Sequence, residues 1–141
     1  VPQTMYNLDI GKAKIVNKGN DITIISYGLG VRWIKDLINT LENISIELID
    51  LRSLIPWDKE LIFESIKKTN RLLIVHEDNI TNGFGAEIAA KISDIGFEYL
   101  DAPIKRVASL DCHVAYSPIL EDEILVQTSW IEEAIEELIE Y

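Results

Sequence analysis

Short apolar runs alternate along this chain with segments of helical periodicity, and that alternation constrains the fold more than any single motif. Strand-length runs fall at residues 21–26 (Ile22, Ile24, Ile25), 45–50 (Ile46, Leu48, Ile49), 71–77 (Leu72, Leu73, Ile74, Val75) and 104–108. Between them, residues 28–41 set Leu29, Trp33, Leu37, Ile38 and Leu41 on one helical face, residues 57–68 repeat the pattern, and residues 84–95 align Ile88, Ala89, Ile92 and Ile95. A β-α-β-α-β-α order needs right-handed crossovers and gives a parallel sheet covered by helices on both faces. Residues 12–16 add a short edge strand with Gly19-Asn20 as its turn. Residues 127–141 add a terminal amphipathic helix begun by Thr128 or Ser129, with Glu132 in its first turn. Asn43 is the expected stop of the first helix, Pro56 sets the φ of the first turn of the second, and a loop is expected from Asp78.

A chain of 141 residues, 48% of them hydrophobic, builds one sizeable core and is the size of one ordinary domain. Its single Cys112 excludes an internal disulfide and a cysteine-paired zinc site, which fits a reducing cytoplasm. The apolar runs are far shorter than a membrane span. Val1 is not an initiator Met and the residues after it do not form a signal peptide, so the start reads as a cut inside a longer protein. The formal charge of −11 is uneven: residues 120–141 hold eight acids and no Lys or Arg, while the rest sets sixteen acids against all 13 bases. That acidic tail argues against nucleic-acid phosphate as a partner and permits a basic protein surface; its simpler reading is a solvated helix face.

Few residues suggest chemistry. Gly28-Leu29-Gly30 opens a helix after a strand and Asp50 ends the next strand, which mimics part of a dinucleotide fingerprint, but Trp33 stands where the third glycine belongs and a tight turn explains the pair. Asn82-Gly83-Phe84-Gly85-Ala86-Glu87 feeds a helix start where free N–H groups can hold an anion, without the Gly-Lys-Ser/Thr of a P-loop. The plainer role of Gly83 and Gly85 is to supply unusual φ angles and close helix packing. His76-Glu77-Asp78 ends a parallel strand at the edge where open α/β sheets place ligands. Adjacent strand residues point to opposite faces, so His76 and Glu77 are no prepared acid–base pair. A possible ligand cleft therefore comprises Tyr27, Arg52, His76, Glu77, Gly83 and Gly85. Cys112-His113 lacks a positioned base, and Ser26, Ser53 and Ser65 lack a nucleophile-elbow context. No catalytic residue and no metal ligand set is assigned.

A collinear series of short motifs spans nearly the whole chain: Gly11-Lys12-Ala13-Lys14, Asp21-Ile22-Thr23-Ile24 to Tyr27-Gly28, Ile49-Asp50-Leu51-Arg52, Pro56-Trp57-Asp58, Ser65 with Lys67-Lys68-Thr69, His76-Glu77, Gly83-Phe84-Gly85-Ala86-Glu87-Ile88, Leu100-Asp101-Ala102-Pro103, Arg106-Val107 and Leu120-Glu121. In that order it resembles the C-terminal domain of the transketolase superfamily, and within it the beta subunit of the E1 component of 2-oxo acid dehydrogenases. The run from Leu100 to Val107 and the terminal helix from Trp130 favour that branch. The chain departs from the family pattern at His113, Ala115 and Val126, where prolines are usual.

The resemblance implies a three-layer α/β/α fold with a mostly parallel five-stranded sheet and one antiparallel edge strand. Residues 1–141 would be one such domain of a longer E1 beta or fused alpha-beta chain. The parent enzyme would decarboxylate a 2-oxo acid with thiamine diphosphate and Mg²⁺ and pass the acyl group to the lipoyl group of E2. In this family the preceding domain supplies the catalytic histidine and cofactor contacts, so the domain itself would bind no cofactor and be inactive alone. Its partners would be an E1 alpha subunit or fused alpha-beta partner, the subunit-binding domain of E2, and a second copy, with no nucleic acid and no membrane. Asp101 and Tyr141 would lie near the E2-facing surface, with Lys105 an unexpected added charge beside them. Trp33, Trp57 and Trp130 are expected to include exposed anchors for self-association. The alternative reading is a small-molecule or anion-sensing domain using the strand-end cleft.

Overall fold

The computed structural model describes residues 3–41 and 43–141; Val1, read above as an internal start, lies outside them. Five strands form one sheet: β1 (Lys14–Asn17), β2 (Ile22–Ser26), β3 (Ile46–Asp50), β4 (Leu72–Asn79) and β5 (Lys105–Ser109). Their spatial order is β1-β3-β2-β4-β5, with β2 to β5 parallel and β1 running antiparallel along β3. Helices α1 (Leu29–Ile38), α2 (Lys59–Thr69), α3 (Phe84–Ile95), α4 (Pro118–Ile124) and α5 (Thr128–Ile139) complete the fold, with a short 3₁₀ turn at Phe97–Tyr99.

Strand residues alternate between two cores. Ile22, Ile24, Leu48, Leu73 and Val75 meet Ile34 and Leu37 of α1 and Ile131, Ile135 and Leu138 of α5. Ile25, Ile49, Leu72 and Ile74 meet Ile62 and Ile66 of α2 and Ile88 and Ile92 of α3. The central strands are therefore apolar on both sides, as a sheet covered on both faces requires. Each fully buried aliphatic side chain contributes about 1.5–3 kcal/mol.

Several local expectations change. α1 ends at Ile38, because the backbone N–H and hydroxyl of Thr40 both bond the Leu37 carbonyl at 2.9 and 2.8 Å and turn the chain before Asn43. Pro56 does not begin α2: it follows a cis peptide bond, and the helix starts after Asp58, whose carboxylate accepts from the Leu61 N–H at 3.3 Å. β4 continues through Asp78 to Asn79, which pairs with Ser109 of β5 beyond a register shift. α4, begun by Pro118, occupies a stretch to which the sequence pattern assigns no element. Gln127, not a hydroxyl, precedes α5 and turns its amide to the Leu125 carbonyl at 2.9 Å, and Glu132 falls beyond the first turn. None of the three tryptophans is exposed: Trp33 and Trp130 pack on one core and Trp57 on the other. The exposed large apolar residues lie elsewhere, among them Met5, Ile10, Ile55, Phe97, Tyr116 and Ile119.

One polar network crosses the α2 face of the sheet. Thr23 of β2 bonds Ser65 and Thr69 at 2.6 and 2.7 Å, Ser65 donates to Glu47 Oε1 at 2.6 Å, and Lys68 pairs with Glu47 Oε2. Burial would raise the Glu47 pKa, but the hydrogen bonds from Lys68 and Ser65 and the Lys68 charge outweigh it and hold the carboxyl below its usual range. The network gives Ser65, Lys68 and Thr69 a structural use.

Candidate functional site

The strand order reverses between β2 and β4. α1 leaves β2 toward one face and α3 leaves β4 toward the other, so the turns after these strands diverge and open the crevice where such sheets place ligands. His76, fully buried, sits here under the first turn of α3. A Cβ on Gly83 would stand 2.5 Å from His76 Cε1, and one on Gly85 would stand 2.4 Å from Nε2. Gly85 thus admits the imidazole, and Gly83 makes room for both the ring and the Asn79 carbonyl, which would stand 2.2 Å from a Cβ there. Neither has a positive φ; in this loop that conformation belongs to Asn82, at 63°.

Tyr27 stacks on His76 with ring centroids 5.9 Å apart and planes 11° from parallel. Neither ring nitrogen of His76 has a hydrogen-bond partner. Burial pushes the His76 pKa below its ordinary value, and the Arg106 charge adds to this while Asp78 opposes it. The imidazole is neutral near pH 7. Burial, with the charges of Asp78 and Glu77, pushes the Tyr27 phenol up to about 12.

Glu77 lies on the other side of the strand. Its Oε1 is 3.5 Å from where a Cβ on Gly28 would stand, so a carboxylate rests against the start of α1, which no side chain caps. That is favourable to the helix and repels a second anion. Arg52 is exposed, its N–H bonded to Asp50 Oδ1 at 3.1 Å, and it follows β3, one strand further from His76. The structure therefore brings Tyr27, His76, Gly83 and Gly85 together, sets Glu77 on the opposite face, and leaves Arg52 outside. A diphosphate with its metal does not fit these residues: Glu77 takes the anion position at the start of α1, the start of α3 is packed over the neutral His76 ring, and among the described residues no group of three or more His, Cys, Asp or Glu side chains could hold a metal ion.

The opposite, amino edge collects Asp101 and Tyr141. The exposed Asp101 bonds through its N–H to the Asn70 carbonyl at 2.8 Å, and the adjacent Arg71 donates from Nε to the Leu138 carbonyl of α5 at 2.7 Å. Lys105, at the start of β5, pairs with Glu137. These two residues, Glu140 and Tyr141 line a cavity of about 390 Å³. The added lysine is thus matched by a carboxylate that the sequence reading did not single out. Its signal was the i, i+4 spacing from Glu133 to Glu137 on a helix without a base.

The family described as "Transketolase, C-terminal domain" matches residues 11–131. This chain belongs to that family. It is 46% identical over 113 residues to the 2-oxoisovalerate dehydrogenase subunit beta 2, mitochondrial, of Arabidopsis thaliana, covering 79% of this chain and 32% of that protein. It is 42% identical over 127 residues to the acetoin:2,6-dichlorophenolindophenol oxidoreductase subunit beta of Bacillus subtilis, covering 89% and 37%. To the pyruvate dehydrogenase E1 component subunit beta of Rickettsia felis it is 39% identical over 143 residues, covering 100% and 44%. The chain thus spans less than half the length of these relatives. Among solved structures, a chain titled "Split gene transketolase, inactive beta4 tetramer" matches with a TM-score of 0.81 at 21% identity, covering 99% of this chain and 46% of that one. At that identity the match speaks for the transketolase C-terminal fold alone. Among the described residues no helix is long and apolar enough to cross a membrane.

Proposed function

We propose that this transketolase C-terminal domain is the assembly and partner-docking part of an E1 beta chain, in an enzyme that oxidatively decarboxylates a 2-oxo acid. Thiamine diphosphate and Mg²⁺ would supply the decarboxylation chemistry from outside this domain, which contributes no catalytic residue. Its own work is pairing with an alpha chain and a second beta chain, and presenting a surface to the basic subunit-binding domain of E2.

The observation that carries the docking role is the amino edge. The last turn of α5 holds no base, and its acids Glu136, Glu137 and Glu140 surround the negative end of the helix, beside Asp101 and an exposed Tyr141. Carboxylates there weaken the helix and complement a basic partner. Assembly is supported by the exposed apolar side chains that follow β5, Leu110, Val114, Tyr116, Ile119 and Leu120.

Binding of the assembled full-length subunit to the E2 subunit-binding domain from the same organism tests this, with calorimetry at low and physiological salt. Affinity that falls as salt rises is expected. No binding even at low salt would remove the docking role. Separately, calorimetry of this chain with thiamine diphosphate and Mg²⁺ is expected to show no binding, and a micromolar site at one per chain would overturn the assignment of the cofactor to another domain.

A further inference from the structure

Docking at the amino edge leaves one cation unaccounted for. Lys105 has 39% of its side chain exposed, and its Nζ pairs with Oε2 of Glu137, itself 56% exposed. The pair forms one wall of the cavity that Glu140 and Tyr141 also line. Exposed pairs add little to stability, so the need for a folded domain does not explain it. Arg71, beside the end of α5, is committed through Nε to the Leu138 carbonyl, and Lys68 at the end of α2 is paired with Glu47. A basic side chain arriving from a partner is drawn by Asp101, Glu136 and Glu140, yet finds Glu137 occupied and Lys105 facing it.

Resting on the docking reading above, we propose that Lys105 is an internal competitor for the partner's cation. In the free domain it holds Glu137; on docking Glu137 passes to an arginine of the E2 subunit-binding domain and Lys105 turns to water. Exchange of one pair for another discriminates between cations. An arginine takes both oxygens of a carboxylate in a fixed fork and wins the exchange, whereas a lysine only replaces like with like. Lys105 thereby lowers overall affinity and sharpens the choice of partner.

The test uses the assembled full-length subunit and the recombinant E2 subunit-binding domain of the same organism as the probe, by calorimetry at low salt. Lys105→Met keeps the aliphatic stem and removes the charge; both paired positions are exposed, so the fold is expected to persist with an unchanged thermal midpoint. Binding should tighten roughly fivefold, the scale of one exposed ion pair, and the gain should vanish when Glu137→Gln is also present. If Lys105→Met binds no better than wild type, or if its gain survives in the Glu137→Gln background as a general charge effect, the competitor role is overturned while docking stands. If wild type and variants all fail to bind, the docking reading falls and the competitor with it.

Discussion

At the carboxyl edge the distinctive polar group is a buried, neutral imidazole, with Glu77 placed against the positive start of α1; at the amino edge the distinctive group is the set of exposed acids at the negative end of α5. The same βα connections deliver positive helix ends to one edge and negative ends to the other. Charge at the carboxyl edge follows that polarity and supports the fold, as do Lys35 at the end of α1 and Lys67 and Lys68 at the end of α2, whereas the acids at the end of α5 run against it. An edge that offends its own helix is the one that gains most from a basic partner.

The comparison breaks most visibly at Gly85. Gly85→Ala places a Cβ within 2.5 Å of two His76 ring atoms, Nε2 and Cδ2, and 3.1 Å from Ile74 Cγ2, which should cost about 2–3 kcal/mol in urea unfolding. His76→Ser in the same chain should restore part of it; an unchanged midpoint in the single variant would mean that the ring yields freely and the carboxyl edge is not closely packed. At the amino edge Asp101→Lys should leave unfolding alone and weaken E2 docking roughly tenfold, or about 1.4 kcal/mol. Equal docking of Asp101→Lys and wild type would take Asp101 out of the interface.

Acid sharpens the contrast further. The folded His76 pKa lies below its ordinary value of about 6.5, so the unfolded chain binds the proton first. The stability gained by burying the neutral ring is complete above about pH 6.5 and is lost as pH falls below that toward the folded pKa. Urea midpoints across this range should fall in wild type and flatten in His76→Gln; parallel profiles would place the titrating group elsewhere. The smallest effect belongs to Glu140→Gln, which relieves the end of α5 and should stabilise the domain by about 0.3 kcal/mol. Loss of stability in that variant would show that Glu140 supports the fold and was misread as a docking residue.

What the sequence made legible was whatever periodicity or motif order carries. The buried β2, β3 and β4 and the helices between them follow from apolar spacing, and the antiparallel β1 follows from the resemblance. Endings were less readable. β4 runs on through Asp78 because β5, 30 residues later, supplies a partner for Asn79, and no local pattern records that pairing. Asp58 was legible as part of a motif but not as the residue that starts α2, since a preceding proline looked sufficient. In the candidate site, the joint position of His76 with Gly83 and Gly85 followed from strand-end logic. That the glycines serve the imidazole, and that Arg52 stands aside, depended on side-chain packing across strands. Glu47 was visible as a carboxylate inside an apolar run but was passed over, because its partners Ser65 and Lys68 lie on another element.

Asp58 has a consequence that reaches past α2. Its second oxygen accepts from the Ala13 N–H at 3.2 Å, so one carboxylate fastens a helix start to the chain entering β1, 45 residues earlier. Peeling away β1 and fraying α2 are then a single opening event, and the amides of Ala13 and Leu61 should exchange hydrogen together. What that event uncovers is the flank of β3, a buried apolar strand whose outer backbone groups β1 alone satisfies. Asp58 therefore guards the domain against templated strand addition, the route by which an uncovered sheet edge recruits other chains into aggregates.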